Sequence, residues 1–224
     1  MQNEVSADLL RSNGFKHVSI TGDTRIDRVI ENKRNVQNDD ILSHFKNGKK
    51  LLVLGSSWPE GEKLILPWIK ESKLKVVIAP HDISETHITQ IGELLEKSYQ
   101  RYTTFDPSQE SDVLILDTIG QLSNTYSYAD IAYIGGGFSG SLHNILEPAV
   151  FGVPVLFGPK HAKYPEAGNF INEGIAFEFN STKDFQEKVG YILADLPYYK
   201  QKTEKFIESQ SGAAAKIYFK ITSS

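Results

Sequence analysis

"IGGGFSGSLHNILEPAVFGVPVLFGP", residues 134–159, decides the fold. An apolar strand runs into three glycines and two serines. A His-Asn pair and a Glu-Pro follow, and a second apolar strand comes directly after. Strand, turn, helical stretch and strand form the unit of a parallel sheet, whose crossovers return over one face. Gly135, Gly136 and Gly137 allow backbone N–H groups to come close to a ligand. A helix is expected to begin near Asn144, because Pro148 is tolerated only in a first turn, which also places Glu147 there. First-turn amides favour an anion. A carboxylate beside them would repel a phosphate but could accept from two vicinal hydroxyls, as on a ribose, while Asn144 could donate to the phosphate. The other reading makes Asn144 an N-cap and Glu147 a complement to the helix dipole.

The same alternation extends outward. "KKLLVLGSS" (49–57) reads as a buried strand and "PEGEKLILPWIKES" (59–72) as the helix after it. "LKVVIAP" (74–80) is the next strand, with a helix from about Ser84 to Lys97. "RYTTF" (101–105) is a weak strand, "DVLILDT" (112–118) a strong one, and a helix follows through about Tyr128. "IAYIGGG" (131–137), "PVLFGP" (154–159) and "IAFEF" (175–179) complete the strands, and the tail from Thr182 reads as helix broken near Pro197. This predicts an α/β, Rossmann-like, doubly wound parallel sheet of about six strands with helices on both faces. Residues 1–48 hold one short strand, a turn and a polar stretch, and read as a linker segment leading from a preceding domain; residues 49–224 read as the sheet domain with its C-terminal helices.

Composition bounds the function. The 224 residues suit one large domain or two small ones, and a net charge of −4 with scattered basic residues gives no reason to expect nucleic acid. With no cysteine there is no disulfide, thiolate nucleophile or cysteine-bound metal. No stretch approaches the ~20 apolar residues of a membrane span, and "MQNEVSADLL" lacks a signal-peptide pattern. The chain is expected to be soluble.

Ligands of open parallel sheets sit at the carboxyl ends of strands. In "GSSWPEGE" (55–62) Ser57 and Glu60 have capping-box spacing and Pro59 suits the first helical position. Ser56, Ser57 and the following amides could instead form a second anion site. In "HDISETH" (81–87) Ser84 is a plausible N-cap, and His81, Asp82 and His87 match no zinc spacing. Gly120 in "DTIGQL" marks a strand-to-helix turn whose amides could meet the edge of a base, or a plain turn. No metal site, nucleophile–histidine–acid set or catalytic residue is expected in this chain.

Taken together, these loops resemble the 3-deoxy-D-manno-octulosonic acid (Kdo) transferases of Gram-negative lipopolysaccharide assembly. "TGDTRIDRV" (21–29) is similar to the segment that opens their C-terminal domain, and "GSSWPEGE" to their GS-x-x-x-GE loop. "ILDTIGQLSNTYSYADIAYIGGG" (115–137) and "HNILEPAVFGVPVLFGP" (143–159) resemble their two later signatures. Ser141-Leu142 stands where the family has Gly-Gly, Gln121 where it has Glu, and the loop at Pro80-His81 lacks the family's arginine. The resemblance implies the C-terminal, CMP-Kdo-binding half of a GT-B fold. Its donor-nucleotide residues would be Ser56, Ser57, Glu62, His81, Gly120, Gly135, Gly136, Gly137, Asn144 and Glu147, with the glycines admitting the phosphate and Glu147 gripping the ribose. It further implies inverting transfer of Kdo from CMP-Kdo to a lipid A precursor with no cofactor or metal. The partner would be an N-terminal acceptor domain that carries the base, at the cytoplasmic face of the inner membrane.

Three other classes compete. A UDP-sugar transferase or 2-epimerase of GT-B type would share the sheet logic, and a non-catalytic nucleotide-binding module would share the site. A dinucleotide-binding oxidoreductase needs G-x-G-x-x-G after the first strand of the sheet, where this chain has "GSSWPEG".

Overall fold

The structure is a computed structural model that describes residues 1–223. Three helices come first: α1 (Glu4–Ser12), α2 (Thr24–Arg34) and α3 (Asp40–Lys46). Then strand and helix alternate: β1 (Leu51–Ser57), α4 (Pro59–Ile69), β2 (Lys75–Pro80), α5 (Glu85–Leu95), β3 (Gln100–Arg101), β4 (Val113–Ile115), α6 (Leu122–Thr125) and β5 (Ile131–Ile134). The chain continues through α7 (Leu146–Ala149), β6 (Val155–Phe157), α8 (Pro165–Asn172), β7 (Ala176–Glu178), α9 (Thr182–Ala194), α10 (Leu196–Ser209) and α11 (Ala213–Thr222). The strands form one 7-stranded sheet in the order β3-β4-β2-β1-β5-β6-β7, and every pairing is parallel. The expected doubly wound sheet is therefore present, with a two-residue β3 at one edge. The weak strand expected over 101–105 stops early, because Asp117 accepts from both the N–H (2.9 Å) and the Oγ (2.6 Å) of Thr103 and draws the chain into a 3-10 turn.

Side chains alternate across the sheet with period two. Leu51, Val53, Val77, Ala132 and Ile134 face one way, against α2, α3, α7 and α8. Leu52, Leu54, Val76, Ile78, Ile131 and Tyr133 face the other way, against α4, α5 and α9. β1 is buried on both faces, and that is why it reads as an unbroken apolar run.

The short strand expected within the first 48 residues is absent. Backbone groups of residues 19–21 bond to Met1 instead of a strand: Met1 N–Ser19 O is 2.7 Å and Thr21 N–Met1 O is 3.0 Å. The polar stretch after it is two capped helices. Asp23 accepts from Arg25 N and Asp39 from Leu42 N, and Ile26, Val29, Leu42 and Phe45 enter the sheet's core. Ile26, Val29 and Ile30 have the i, i+3, i+4 spacing of a helix face, so helical period overrides the β-branched run before it. At the other end, Asp195 ends α9 and caps α10 at Tyr198 N, with Pro197 in the first turn, at the expected break. Asp27 of α2 accepts from Gly212 N (2.6 Å) and Ala214 N (2.7 Å), so α2 caps α11. Among the described residues no helix is long and apolar enough to cross a membrane.

Tyr133 fills the space that Gly61 leaves open; a methyl at Gly61 would lie 1.9 Å from its hydroxyl oxygen. That hydroxyl is buried without a hydrogen-bond partner. An orphaned buried hydroxyl carries its desolvation cost uncompensated. Tyr133→Phe should therefore raise the unfolding free energy by roughly 1 kcal/mol. Urea denaturation of the two proteins measures this, and a destabilised variant would mean the hydroxyl is satisfied.

Candidate functional site

β1 lies between β2 and β5, and the sheet grows leftward through β2, β4 and β3 and rightward through β5, β6 and β7. The order reverses at β1/β5, and ligands of such sheets bind in the crevice outside the carboxyl ends of the strands at that point. Here the β1/β2 register slips between Gly55 and Ser57, and Ser56 takes a left-handed φ of 48°. A serine in that region is strained, and such strain is held only where the surroundings enforce it.

The surroundings are the glycines of 135–137. A methyl at Gly135 would lie 1.8 Å from Ser56 O, one at Gly136 1.9 Å from Ser141 O, and one at Gly137 2.5 Å from Gly158 N. All three are buried. Their missing side chains admit protein backbone; the expectation that they exist to admit a ligand is corrected to that extent.

Two further expectations change. Ser57 does not cap α4. The N-cap is Trp58, without a side-chain bond, and Pro59 holds the first position as expected. Ser57 and Glu62 lie beneath the surface, 0 % and 1 % exposed. Ser57 Oγ donates to Glu62 Oε1 at 2.6 Å, and Glu62 Oε2 lies 2.8 Å from His87 Nε2. They tie α4 to α5 and are not placed to touch a ligand. His87 is thereby turned inward, while Asp82 accepts from Ser84 N and Oγ, and Ser84 caps α5. Among the described residues no three such side chains converge on a metal-sized space.

Above this layer lies a group of rings. Trp58 and His81 stack at 4.4 Å with 17° between planes, and His81 lies 5.0 Å from His143. Trp58 Nε1 donates to His143 Nε2 at 3.1 Å. An indole N–H only donates, so His143 Nε2 is the acceptor and its proton sits on Nδ1. Burial, and next the proximity of His81, hold the His143 pKa below its usual value. Trp58 and His143 were not among the expected site residues. The signals were present, a tryptophan directly after a strand and a histidine directly before Asn144, but nothing local says that they meet.

Asn144 and Glu147 are brought together as the spacing implied. Asn144 Nδ2 donates to Glu147 Oε1 at 3.1 Å, and Asn144 Oδ1 accepts from Leu146 N at 3.0 Å. Asn144 thus shapes the turn into α7 and keeps one amide hydrogen for another acceptor. Glu147 is half-buried in the first turn of α7. Burial raises its pKa, opposed by Asn144 and by Arg28 of α2. Gly120 stands apart, because β2 separates β4 from β1. It is exposed at φ 98°, beside a cleft of about 560 Å³ shared with Tyr102, Gln121 and Asn124. A cavity of about 380 Å³ lined by Lys49, Lys75, Lys97 and Asp112 opens at the amino ends of β2 and β4, the wrong end of the sheet for a ligand of this architecture.

Glu147 gives a pH dependence. Its folded pKa is raised above the ordinary 4.5, so the folded protein keeps a proton that the unfolded chain releases. That contribution to stability is complete below pH 4.5 and is lost as pH rises through the folded pKa. Glu147→Gln should therefore melt higher than the parent at pH 7, with the gap closing near pH 4 (pH values of roughly these sizes follow from carboxyl titration). Melting curves at the two pH values measure it; an equal gap at both would show that ionisation of Glu147 is not the cause.

No model of a known protein family matches the chain. Curated relatives do. One from Rickettsia felis, named 3-deoxy-D-manno-octulosonic acid transferase, is 29% identical over 182 residues, covering 75% of this chain and 39% of the relative. One of the same name from Rickettsia bellii is 26% identical over 212 residues, 87% of this chain and 50% of the relative. The chain thus spans half or less of the length of these relatives. Among solved structures, the C-terminal CMP-Kdo binding domain of WaaA from Acinetobacter baumannii matches with a TM-score of 0.63 at 19% identity, covering 80% of this chain and 97% of that one. The chain is thus similar in sequence to proteins named 3-deoxy-D-manno-octulosonic acid transferase and shares the fold of a CMP-Kdo binding domain.

Proposed function

We propose that this chain is the donor-binding domain of a glycosyltransferase that passes Kdo from CMP-Kdo to a lipid A precursor. The observation that carries this reading is the Asn144–Glu147 pair at the point where the strand order reverses. Glu147 can accept from both ribose hydroxyls, and the remaining amide hydrogen of Asn144 can donate to the phosphate. The rings of Trp58, His81 and His143 offer a flat, partly apolar wall beside them. Relatives named for Kdo transfer support this choice of donor over a UDP-sugar.

Transfer needs a base at the acceptor hydroxyl. The carboxylates nearest the crevice are engaged, Glu62 with Ser57 and His87, and Glu147 with Asn144. The base therefore comes from a second domain facing this crevice, which also holds the acceptor at the cytoplasmic face of the inner membrane.

Calorimetric titration with CMP, UMP, UDP and NAD tests the donor, with CMP expected to bind best. A carboxylate that accepts two hydroxyls in a half-buried site is worth about 1.5–3 kcal/mol, so Glu147→Ala should weaken CMP roughly ten- to a hundred-fold. Parent-like CMP affinity in a folded Glu147→Ala protein would remove Glu147 from the site.

In a second assay, this chain by itself should release no CMP from CMP-Kdo in an acceptor-dependent way, and should gain that activity when joined to a facing domain. General-base help and joint orientation of donor and acceptor are each worth orders of magnitude in rate. Turnover by the single domain would place the base within it and overturn the two-domain reading.

A further inference from the structure

A nucleotide brings a phosphate charge into a crevice that offers little to meet it. Among the crevice residues Trp58, His81, His143, Asn144 and Glu147 there is no lysine or arginine, and the helix beside them contributes a carboxylate. α7 is only four residues long, too short to supply much dipole. Arg28 of α2 acts on Glu147, whose pKa it lowers, so its charge is partly answered there. A phosphate held here needs a cation from another direction.

The loop after β6 supplies one. Lys160 N donates to Gly137 O at 2.7 Å, and a methyl at Gly140 would meet Lys160 Cβ at 4.0 Å. The base of the Lys160 side chain therefore lies beside the 136–140 turn. The opposite flank of this loop leans on Ser56 through Gly135, below Trp58. Backbone contact between Gly137 and Gly158 fixes the lysine's starting point relative to that turn. Among the described residues the Lys160 ammonium has no hydrogen-bond or ion-pair partner, whereas the adjacent His161 is taken by Glu178 at 2.8 Å. The side chain is exposed, so its charge remains fully hydrated until something anionic arrives.

We propose that Lys160 is the phosphate-binding cation of the crevice, reaching over the 136–140 turn to the donor's phosphate while Glu147 holds the sugar hydroxyls on the far side. This rests on the reading of the crevice as a nucleotide site. Cation and carboxylate then sit on opposite flanks of one loop, and a ligand that is anionic at one end and hydroxylated at the other is oriented by both. Lysine suits the task as a flexible point charge that can follow the phosphate.

The test compares CMP with cytidine, which lacks the phosphate, in binding titrations of the whole chain. Lys160→Gln should weaken CMP about tenfold or more, the scale of one charge-assisted hydrogen bond. The same variant should leave cytidine unchanged and flatten the salt dependence of CMP binding. Lys160→Arg should keep most of the CMP affinity. Lys205→Gln, on α10, controls for net charge and should change neither ligand. Parent-like CMP binding by Lys160→Gln would overturn the assignment while leaving the nucleotide site standing. Equal losses for CMP and cytidine would overturn it too, since the side chain would then act through packing. A parent protein that binds neither ligand would overturn the nucleotide reading, and this assignment with it.

Discussion

Three backbone approaches hold the loops at the carboxyl end of the sheet together: Gly135 against Ser56, Gly136 against Ser141, and Gly137 against Gly158. Each leaves no room for a β-carbon. They draw the loops after β1, β5 and β6 into one packed unit above the sheet. The left-handed Ser56 and the bulge at the end of β1 are consequences, since the chain must bend there to bring its carbonyl over Gly135. The bend lifts Trp58 to the surface, where its indole reaches His143 eighty-five residues later in the chain. Without the glycines, neither the ring cluster nor the position of Lys160 relative to it would exist.

A second layer supports the first from below. The buried set of Ser57, Glu62 and His87 links the end of β1 to α4 and α5. A carboxylate 1 % exposed is costly unless its oxygens are satisfied, and both oxygens of Glu62 have partners. His81 N also bonds to Ser57 O at 2.9 Å, so the loops after β1 and β2 share an anchor. That shared anchor lets Trp58 and His81 stack nearly parallel at the surface. The loops at this end are thus built in two tiers: a buried polar layer that sets loop positions, and a more exposed layer of rings and the Asn144 amide above it.

The sheet was legible because parallel strands buried on both faces must be unbroken apolar runs and their crossovers must be amphipathic. β1, β2, β4, β5 and β6 all show it. The Asn144–Glu147 pair was legible because three residues along a turn and helix start is a local distance. Residues 24–46 were misread because their apolar positions are sparse, and only the covered face of the sheet shows what Ile26, Val29, Leu42 and Phe45 are for. Ser57 was offered for an anion site because a loop after a strand is where ligands bind, and Glu62 came with the resemblance of that loop. Whether a side chain there points up or down depends on the bulge, which no local pattern announces.

By itself, then, the sequence determined the class of fold and the local Asn144–Glu147 geometry, because these follow from periodicity and short-range spacing. The tertiary structure alone decided that the glycines serve backbone packing, that Glu62 is sealed beneath the site, and that Trp58, His81 and His143 form one surface. Those outcomes depend on contacts between residues far apart in the chain, and such contacts exist only once the loops after β1, β2, β5 and β6 have been packed against one another.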